Sequence, residues 1–334
     1  MSYLYIIEQG AKLSIKNGRF EVHYSEERTK SIPVETLEVI EIFGNIHITT
    51  QAIQECLKRG INILYFSTKG SYYGRLISTN HVNVLRQRKQ SELYKSDKFK
   101  LQFSKKIINA KINNQIVLLR RWQRSTQNDI SKSIEYIKQL KSKIDKCDSI
   151  EEIMGYEGII AKEYFKNISI IIQPEFKFKG RSKRPPKDPF NSMISLGYSI
   201  LLNEIYAKLE GKGLNPYFGF MHKDKEKHPT LASDLLEEWR SVLIDSLVVA
   251  MINGNEIKKE DFYMTNEENG VYLKKEGFKK YITKLENKMR NDNKYLSYIN
   301  YAVSFRKALD LQINELVKAI ELENADIYKA IEIR

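Results

Sequence analysis

The chain has 334 residues, enough for two domains, and its 42% hydrophobic content allows a substantial core and excludes a disordered chain. Lys and Arg number 55 against 42 Asp and Glu, a net charge of +13 that favours DNA, RNA or an anionic membrane as a partner. The alternative is a basic protein with no polyanion partner. No uncharged apolar run approaches the roughly 18 residues of a membrane span. Two cysteines without metal-ligand spacing, and no secretory signal at the N-terminus, predict a cytoplasmic protein.

Residues 1–82 are predicted to form a small β-sandwich-like domain. Short alternating or apolar runs recur between turn residues. These runs are 3–7, 12–15, 20–24, 38–42, 61–66 and 72–76. Asn17 and Gly18 indicate a hairpin between two of the strands. One helix is predicted over 50–59, with Thr50 as its cap and Gly60 at its end.

A larger, all-α domain is predicted for residues 91–334, after a linker at 83–90. The pattern becomes helical and highly charged, and glycine and proline become sparse. They return in two segments, 180–189 and 211–229, which we interpret as loops. The predicted fold class is therefore α+β, with a β domain followed by a helical domain.

Glu157 occupies a position where a charge is unexpected. Ile153, Glu157, Ile160 and Tyr164 are spaced by four, three and four residues, which places them on one helical face. A carboxylate on an apolar face needs a partner, or its pKa must rise. Small residues flank it and leave room for a guest: Gly155, Gly158 and Ala161. In a basic chain, a metal ion acting on nucleic acid is the candidate guest.

A second group of carboxylates lies in the predicted helix 231–240. Leucine, valine and tryptophan side chains form its buried stripe, and Asp234 and Glu237 project together opposite that stripe, with Glu238 at its flank. Two neighbouring carboxylates repel each other unless a cation lies beside them. The alternative is a solvated acidic face.

His222 lies just before this helix and could complete a metal site. One imidazole with carboxylate oxygens suits Mn²⁺ or Mg²⁺. His228 is the rival residue, and a loop histidine can also be a plain surface residue. The sequence contains no zinc-ligand spacing, P-loop or dinucleotide fingerprint.

A proline-bearing loop carries a dense group of cations that suits contacts to nucleic-acid phosphates. Two phenylalanines, Phe176 and Phe178, are interleaved with the cations and could stack on bases. The cations are Lys177, Lys179, Arg181, Lys183, Arg184 and Lys187. The alternative is a solubilising surface.

Four segments occur in a specific order along the chain. They are a Glu-Gly helix at 155–165, RPPKDPFN at 184–191 with its continuation to 204, a histidine loop at 214–222, and an Asp-Leu-x-Glu helix at 234–240. In this order they resemble the CRISPR adaptation integrases, the first-numbered Cas proteins. The resemblance covers essentially the whole chain. It departs from the family at Ser192, where many relatives have alanine, and at the charged segment 223–227.

The resemblance implies a metal-dependent DNA endonuclease and integrase that inserts spacer DNA into a CRISPR array through attack by a 3′-hydroxyl. Glu157, His222 and Glu237 would bind Mg²⁺ or Mn²⁺, with Asp234 as a supporting carboxylate. The family's partners are double-stranded DNA and the small second-numbered Cas protein.

The resemblance also implies a homodimer. Exposed strand edges and abundant tyrosines of the β domain place the dimer contact there. The alternative from a different class is a non-catalytic DNA-binding scaffold, in which the acidic cluster only holds helices together. A scaffold needs neither Glu157 on an apolar face nor His222.

Overall fold

The structure, a computed structural model, describes residues 2–24, 28–79, 82–126, 128–265, 269–294 and 298–333. The chain divides into two compact units, Met1–Val82 and Asn83–Arg334. The first unit is rich in strands and the second is mostly helical, which confirms the predicted α+β class.

The first unit contains two four-stranded sheets. The strands are β1 Ser2–Ile6, β2 Lys12–Lys16, β3 Arg19–His23, β4 Thr29–Pro33, β5 Leu37–Phe43, β6 His47–Ile48, β7 Asn62–Phe66 and β8 Tyr72–Leu76. One sheet has the order β1-β5-β7-β8 and the other β4-β3-β2-β6. The predicted hairpin is confirmed, since β2 and β3 pair antiparallel around Asn17 and Gly18, both with positive φ.

Both sheets and one helix, α1 Thr50–Arg59, share a core. Leu4 and Ile40 of the first sheet, Phe20 of the second, and Ala52 of α1 belong to the same buried cluster. The predicted helix bounds are confirmed, and Gly60 ends the helix in the left-handed region at φ 70°. The predicted cap is wrong by one residue: the side chain of Thr49, not Thr50, accepts the hydrogen bond from Ala52 N.

The second unit is built from nine described helices. They are α2 Val84–Tyr94, α3 Asp97–Ser125, α4 Ser131–Ile144, α5 Ile150–Ile171, α6 Pro189–Gly211, α7 Thr230–Trp239, α8 Ser246–Asn253, α9 Lys275–Arg290 and α10 Phe305–Glu321. Residues 84–90 of the predicted linker 83–90 belong to helix α2. Asn83 caps α2 by accepting a hydrogen bond from Arg86 N, which is a capping signal that the linker interpretation overlooked.

The helical unit also contains strands, so the prediction of an all-α domain is too simple. β9 Phe262–Thr265 and β10 Gly270–Leu273 pair antiparallel, and β11 Asp292–Asn293 pairs with β12 Val303–Ser304. Val271 N of β10 donates to the Pro186 carbonyl, which joins this hairpin to the cation-rich loop.

Helix α7 lies at the centre of the helical unit. All ten of its residues are buried, and a π-helical segment, Arg240–Asp245, continues it into α8. Asp234 and Glu237 therefore do not lie on an exposed acidic face. Helix α3 packs against α4, α5 and α7, so side chains from α3, α5 and α7 can meet. Within the described residues, no helix is long and apolar enough to cross a membrane.

Candidate active site

Three predicted site residues from three separate segments line one cavity of about 1050 Å³. Glu157 comes from α5, His222 from the loop before α7, and Glu237 from α7 itself. They are brought together because α5 and α7 both pack against α3.

Helix α5 presents Glu157 beside an apolar face, as predicted. Ile153, Ile160 and Tyr164 are buried, whereas the Glu157 side chain keeps 16% of its exposure. A Cβ added at Gly155 or Gly158 would meet no atom within 4 Å, so no packing requirement explains these two glycines.

The partner that Glu157 requires is Lys111 of α3, a residue that the sequence reasoning missed. Its Nζ lies 2.5 Å from Glu157 Oε1 and 2.6 Å from Glu237 Oε2. Burial lowers the pKa of Lys111, but the charges of Glu237 and Glu157 outweigh burial and raise it. A sequence signal did exist, because Lys111 interrupts the buried pattern of Ile108 and Ile112.

Glu237 is held among cations. Besides Lys111, Arg240 Nη2 lies 3.0 Å from Glu237 Oε1, and His222 Nε2 lies 3.7 Å from the same oxygen. Burial favours the neutral acid, but these positive groups outweigh it and lower the pKa of Glu237 to about 2. Glu237 is therefore a carboxylate at neutral pH.

Asp234 positions His222 and its loop. It is fully buried, and it accepts hydrogen bonds from the backbone N–H groups of Phe220, Met221 and His222, at 2.7, 3.1 and 3.1 Å. Its Oδ1 also lies 2.6 Å from His222 Nδ1. Because Nδ1 is engaged, Nε2 is the ring nitrogen directed toward Glu237.

The two loop histidines differ in their surroundings. Burial lowers the pKa of His222, but the hydrogen bond and charge of Asp234, with the charge of Glu237, outweigh it and raise that pKa. His228 bonds Ser233 Oγ at 3.0 Å and is not among the residues that line the cavity. The geometry thus favours His222 over its rival.

Four of the six predicted loop cations also line the cavity. They are Lys177, Lys179, Arg181 and Lys183. Arg184 and Lys187 do not line it, and Lys187 Nζ instead donates to the Asn269 carbonyl at 3.0 Å. Arg184 and Lys187 are therefore the least direct of the predicted DNA contacts.

Arg181 is fixed in place rather than loosely solvated. Its guanidinium lies 5.4 Å from the ring centres of both Phe165 and Tyr198, and Nη1 donates to Asn191 Oδ1 at 2.5 Å. Burial lowers the pKa of Arg181. A guanidinium held this way is already oriented for an anion in the cavity.

The donor set fits a hard divalent cation in its chemistry. Two carboxylates and one imidazole suit Mg²⁺ or Mn²⁺. The two carboxylates already share one cation, the ammonium of Lys111. Across the described ranges, no group of three His, Cys, Asp or Glu side chains is arranged to hold a metal ion. Lys111 separates the two carboxylates in the present arrangement.

Comparison with known proteins identifies the class to which this fold and site belong. The family profile described as CRISPR associated protein Cas1 matches residues 4–287. A CRISPR-associated endonuclease Cas1 from Mycobacterium tuberculosis is 36% identical over 321 residues, which are 96% of this chain and 94% of that protein. The chain belongs to the Cas1 family.

Solved structures share the fold over the whole chain. A chain of a Cas6-RT-Cas1–Cas2 complex superposes with a TM-score of 0.85 at 23% identity, covering 100% of this chain and 36% of that longer one. A casposase bound to its integration product gives a TM-score of 0.84 at 21% identity and covers 100% of this chain and 96% of the other.

Proposed function

We propose that this chain is a divalent-metal-dependent DNA endonuclease and integrase of CRISPR adaptation. It inserts spacer DNA into the CRISPR array by attack of a 3′-hydroxyl on a phosphodiester. The observation that carries the proposal is the meeting of Glu157, His222 and Glu237 on a cavity that is also lined by four loop cations. Family membership and the curated endonuclease relatives support the same reaction class.

Each site residue has a definite task in this proposal. Glu157, Glu237 and Nε2 of His222 would hold Mg²⁺ or Mn²⁺, and Asp234 keeps His222 turned toward Glu237. When bound, such an ion polarises a phosphodiester and stabilises the charge that develops on it. Attack by a 3′-hydroxyl forms one P–O bond and breaks another, releasing a new 3′-hydroxyl, whereas attack by water gives hydrolysis.

The loop cations would hold the DNA backbone beside the metal ligands. Arg181 and Lys183 line the same cavity as Glu237, and Arg181 is fixed between two aromatic rings. Phosphate contacts from such residues orient the scissile bond, and positioning is a large part of phosphoryl-transfer catalysis.

The decisive test compares Glu157 with another glutamate of the same helix. Glu157→Ala should abolish Mg²⁺- or Mn²⁺-dependent cleavage and strand transfer on a labelled repeat duplex. Glu163→Ala is the matched control, because Glu163 also lines the cavity but bonds Ser133 and Lys166 instead. Near wild-type activity of Glu157→Ala would refute the site assignment.

The salt dependence of DNA binding tests the loop. Arg181→Ala and Arg184→Ala together should weaken binding to all sequences and flatten the salt dependence by roughly one unit of slope per lost phosphate contact. Since Arg181 lines the cavity and Arg184 does not, Arg181→Ala alone should account for most of the change. If the salt dependence of DNA affinity were unchanged, the loop would not contact the DNA backbone.

One observation favours the alternative of a non-catalytic DNA-binding scaffold. Lys111 forms ion pairs with both carboxylates, as a purely structural residue would. A scaffold predicts that DNA binding is independent of divalent metal and that no strand transfer occurs. The Glu157 assay separates the two functions directly.

We also propose the assembly implied by the family: a homodimer formed through the β unit, working with double-stranded DNA and Cas2. The fold shared with the chain of a Cas6-RT-Cas1–Cas2 complex supports the Cas2 partner. Tyr73 is 74% exposed on β8, an edge strand, and is the best-placed aromatic anchor for a second copy. Sedimentation of the full chain should show a dimer that Tyr73→Lys weakens; an unchanged dimer would place the interface elsewhere.

A further inference from the structure

Lys111 occupies the position between Glu157 and Glu237 that the proposed function assigns to a metal ion. Resting on that function, we infer that Lys111 is the resident counter-cation of the site: it holds both carboxylates in place and is displaced when a divalent cation binds. Lys111 is thus a positioning residue whose ammonium competes with the metal.

The geometry explains why a counter-cation is needed. Glu157 and Glu237 come from two helices that both pack against α3, and two carboxylates brought to one cavity repel each other. Lys111 Nζ lies within 2.6 Å of both, and its side chain keeps only 9% of its exposure. Removing that ammonium would leave Glu157 without its ion-pair partner and Glu237 with Arg240 and His222 alone, in a mostly buried site.

An ammonium and a divalent ion cannot share the same two oxygens. Both need to approach them closely, and their positive charges repel each other. Arg240 is less easily exchanged, since its guanidinium contacts only Glu237 of this pair and lies 4.8 Å from the Tyr198 ring centre. Lys111 has a flexible four-carbon stem and lines the cavity, so its ammonium has room to move.

A second observation shows where the displaced ammonium can go. Gln115 lies four residues after Lys111 on α3, hence on the same helical face, and it lines the same cavity. Its Oε1 is buried without a hydrogen-bond partner among the described residues. An unsatisfied buried acceptor is costly, and an ammonium that swings toward it would satisfy it.

The test measures Mn²⁺ binding to the full-length protein by electron paramagnetic resonance of free Mn²⁺, without DNA. Lys111→Met should bind Mn²⁺ at least roughly tenfold more tightly than wild type, because the competing buried cation is gone. Lys162→Met is the matched control: Lys162 lines the same cavity but forms no ion pair with either carboxylate among the described residues, and its removal should change affinity little.

Gln115→Leu tests the destination of the ammonium. It should weaken Mn²⁺ binding by roughly threefold to tenfold when Lys111 is present, because the displaced ammonium loses its acceptor. In the Lys111→Met background the same change should have no effect. Equal effects in both backgrounds would contradict the exchange.

Wild-type protein supplies a readout that does not depend on the variants folding. Acetylation by an amine-reactive ester, followed by mass spectrometry, should modify Lys111 several-fold faster with saturating Mn²⁺ than without it. An acetylation rate of Lys111 that bound Mn²⁺ leaves unchanged would overturn the inference.

The outcomes also separate this inference from the proposed function. If wild type binds Mn²⁺ and Glu157→Gln does not, the metal site stands, and unchanged affinity in folded Lys111→Met refutes the exchange alone. If wild type and Glu157→Gln bind Mn²⁺ equally or not at all, the metal site and the exchange both fail.

Discussion

The two sides of helix α7 place adjacent glutamates in opposite surroundings. Glu237 faces the cavity among Lys111 and Arg240, and these cations lower its pKa to about 2. Glu238 faces away, where the Tyr328 hydroxyl and the Ile331 backbone N–H donate to it at 2.6 and 2.5 Å. Burial raises the pKa of Glu238 to about 8, against these hydrogen bonds.

The comparison shows that burial alone does not decide the charge of an acid. Both glutamates are buried, and one residue along a helix rotates the side chain by about 100°. Glu237 therefore faces the cation-rich cavity, whereas Glu238 faces the C-terminal segment that contains Tyr328 and Ile331. The Asn114 side chain hydrogen-bonds the same segment: its amide nitrogen donates to the Ile331 carbonyl at 2.8 Å, and its oxygen accepts from Ile333 N at 2.9 Å. One side of α7 thus carries the charged groups that the proposed catalysis would use, and the other makes contacts that stabilise the fold.

The largest effect should separate the two glutamates by activity. Glu237→Gln should reduce metal-dependent strand transfer by about 100-fold or more, because a proposed metal ligand and its charge are lost. Glu238→Gln should leave the rate per folded molecule near that of wild type. Single-turnover assays with saturating Mn²⁺ measure both rates. If Glu238→Gln were the inactive variant, the assignment of the two sides would be wrong.

Asp234 should have the next largest effect, acting through His222. Asp234→Asn loses part of its capacity to accept the three backbone N–H groups and the imidazole, so His222 would no longer be held toward Glu237. We expect Mn²⁺ affinity to fall by about 10- to 100-fold, the usual range for residues that orient a metal ligand.

His228→Gln provides the control for Asp234→Asn, because it changes a histidine of the same loop that does not line the cavity. It should leave Mn²⁺ affinity unchanged. A loss of affinity in His228→Gln equal to that in Asp234→Asn would show that general loop disorder, not the orientation of His222, causes the effect.

Local patterns predicted the elements better than they predicted the contacts between elements. The hairpin at Asn17-Gly18 and the end of α1 at Gly60 depend on neighbouring residues, and both are confirmed. Strand β4 escaped prediction because it is polar and exposed at a sheet edge, with no alternating pattern to mark it. The segment 83–90 escaped because its helix is weakly amphipathic, although Asn83 caps it.

The site shows the same limit. Periodicity indicated that Glu157 needs a partner, but that partner, Lys111, is 46 residues away and reaches it only through the packing of α3 on α5. The spacing of Asp234 and Glu237 predicted a shared face, yet Asp234 is turned into the His222 loop. A helical period gives relative directions on one helix; which neighbour lies in each direction is set by tertiary packing. The metal-ligand roles of Glu157, His222 and Glu237 stay predictions.

The smallest expected effect is that of Glu238 on the free energy of unfolding, and it tests the difference in charge between Glu237 and Glu238. Glu238 has an ordinary pKa of 4.5 when unfolded and about 8 when folded, so between these values the folded state keeps a proton that the unfolded state has released. The free energy of unfolding should therefore fall as pH rises through this window and level off above about pH 8. The side-chain amide in Glu238→Gln has no acidic proton to release, so this variant should lack the contribution, which is at most about 1.4 kcal/mol per pH unit. Asp245, whose pKa is raised to about 6, and Lys288, whose pKa is lowered to about 7, also make the free energy of unfolding depend on pH. The measurement is therefore the difference in that free energy between wild type and Glu238→Gln, from urea unfolding at several pH values. Parallel curves from pH 5 to 8 would mean that Glu238 is ionised in the fold, and the two sides of α7 would then not differ in charge.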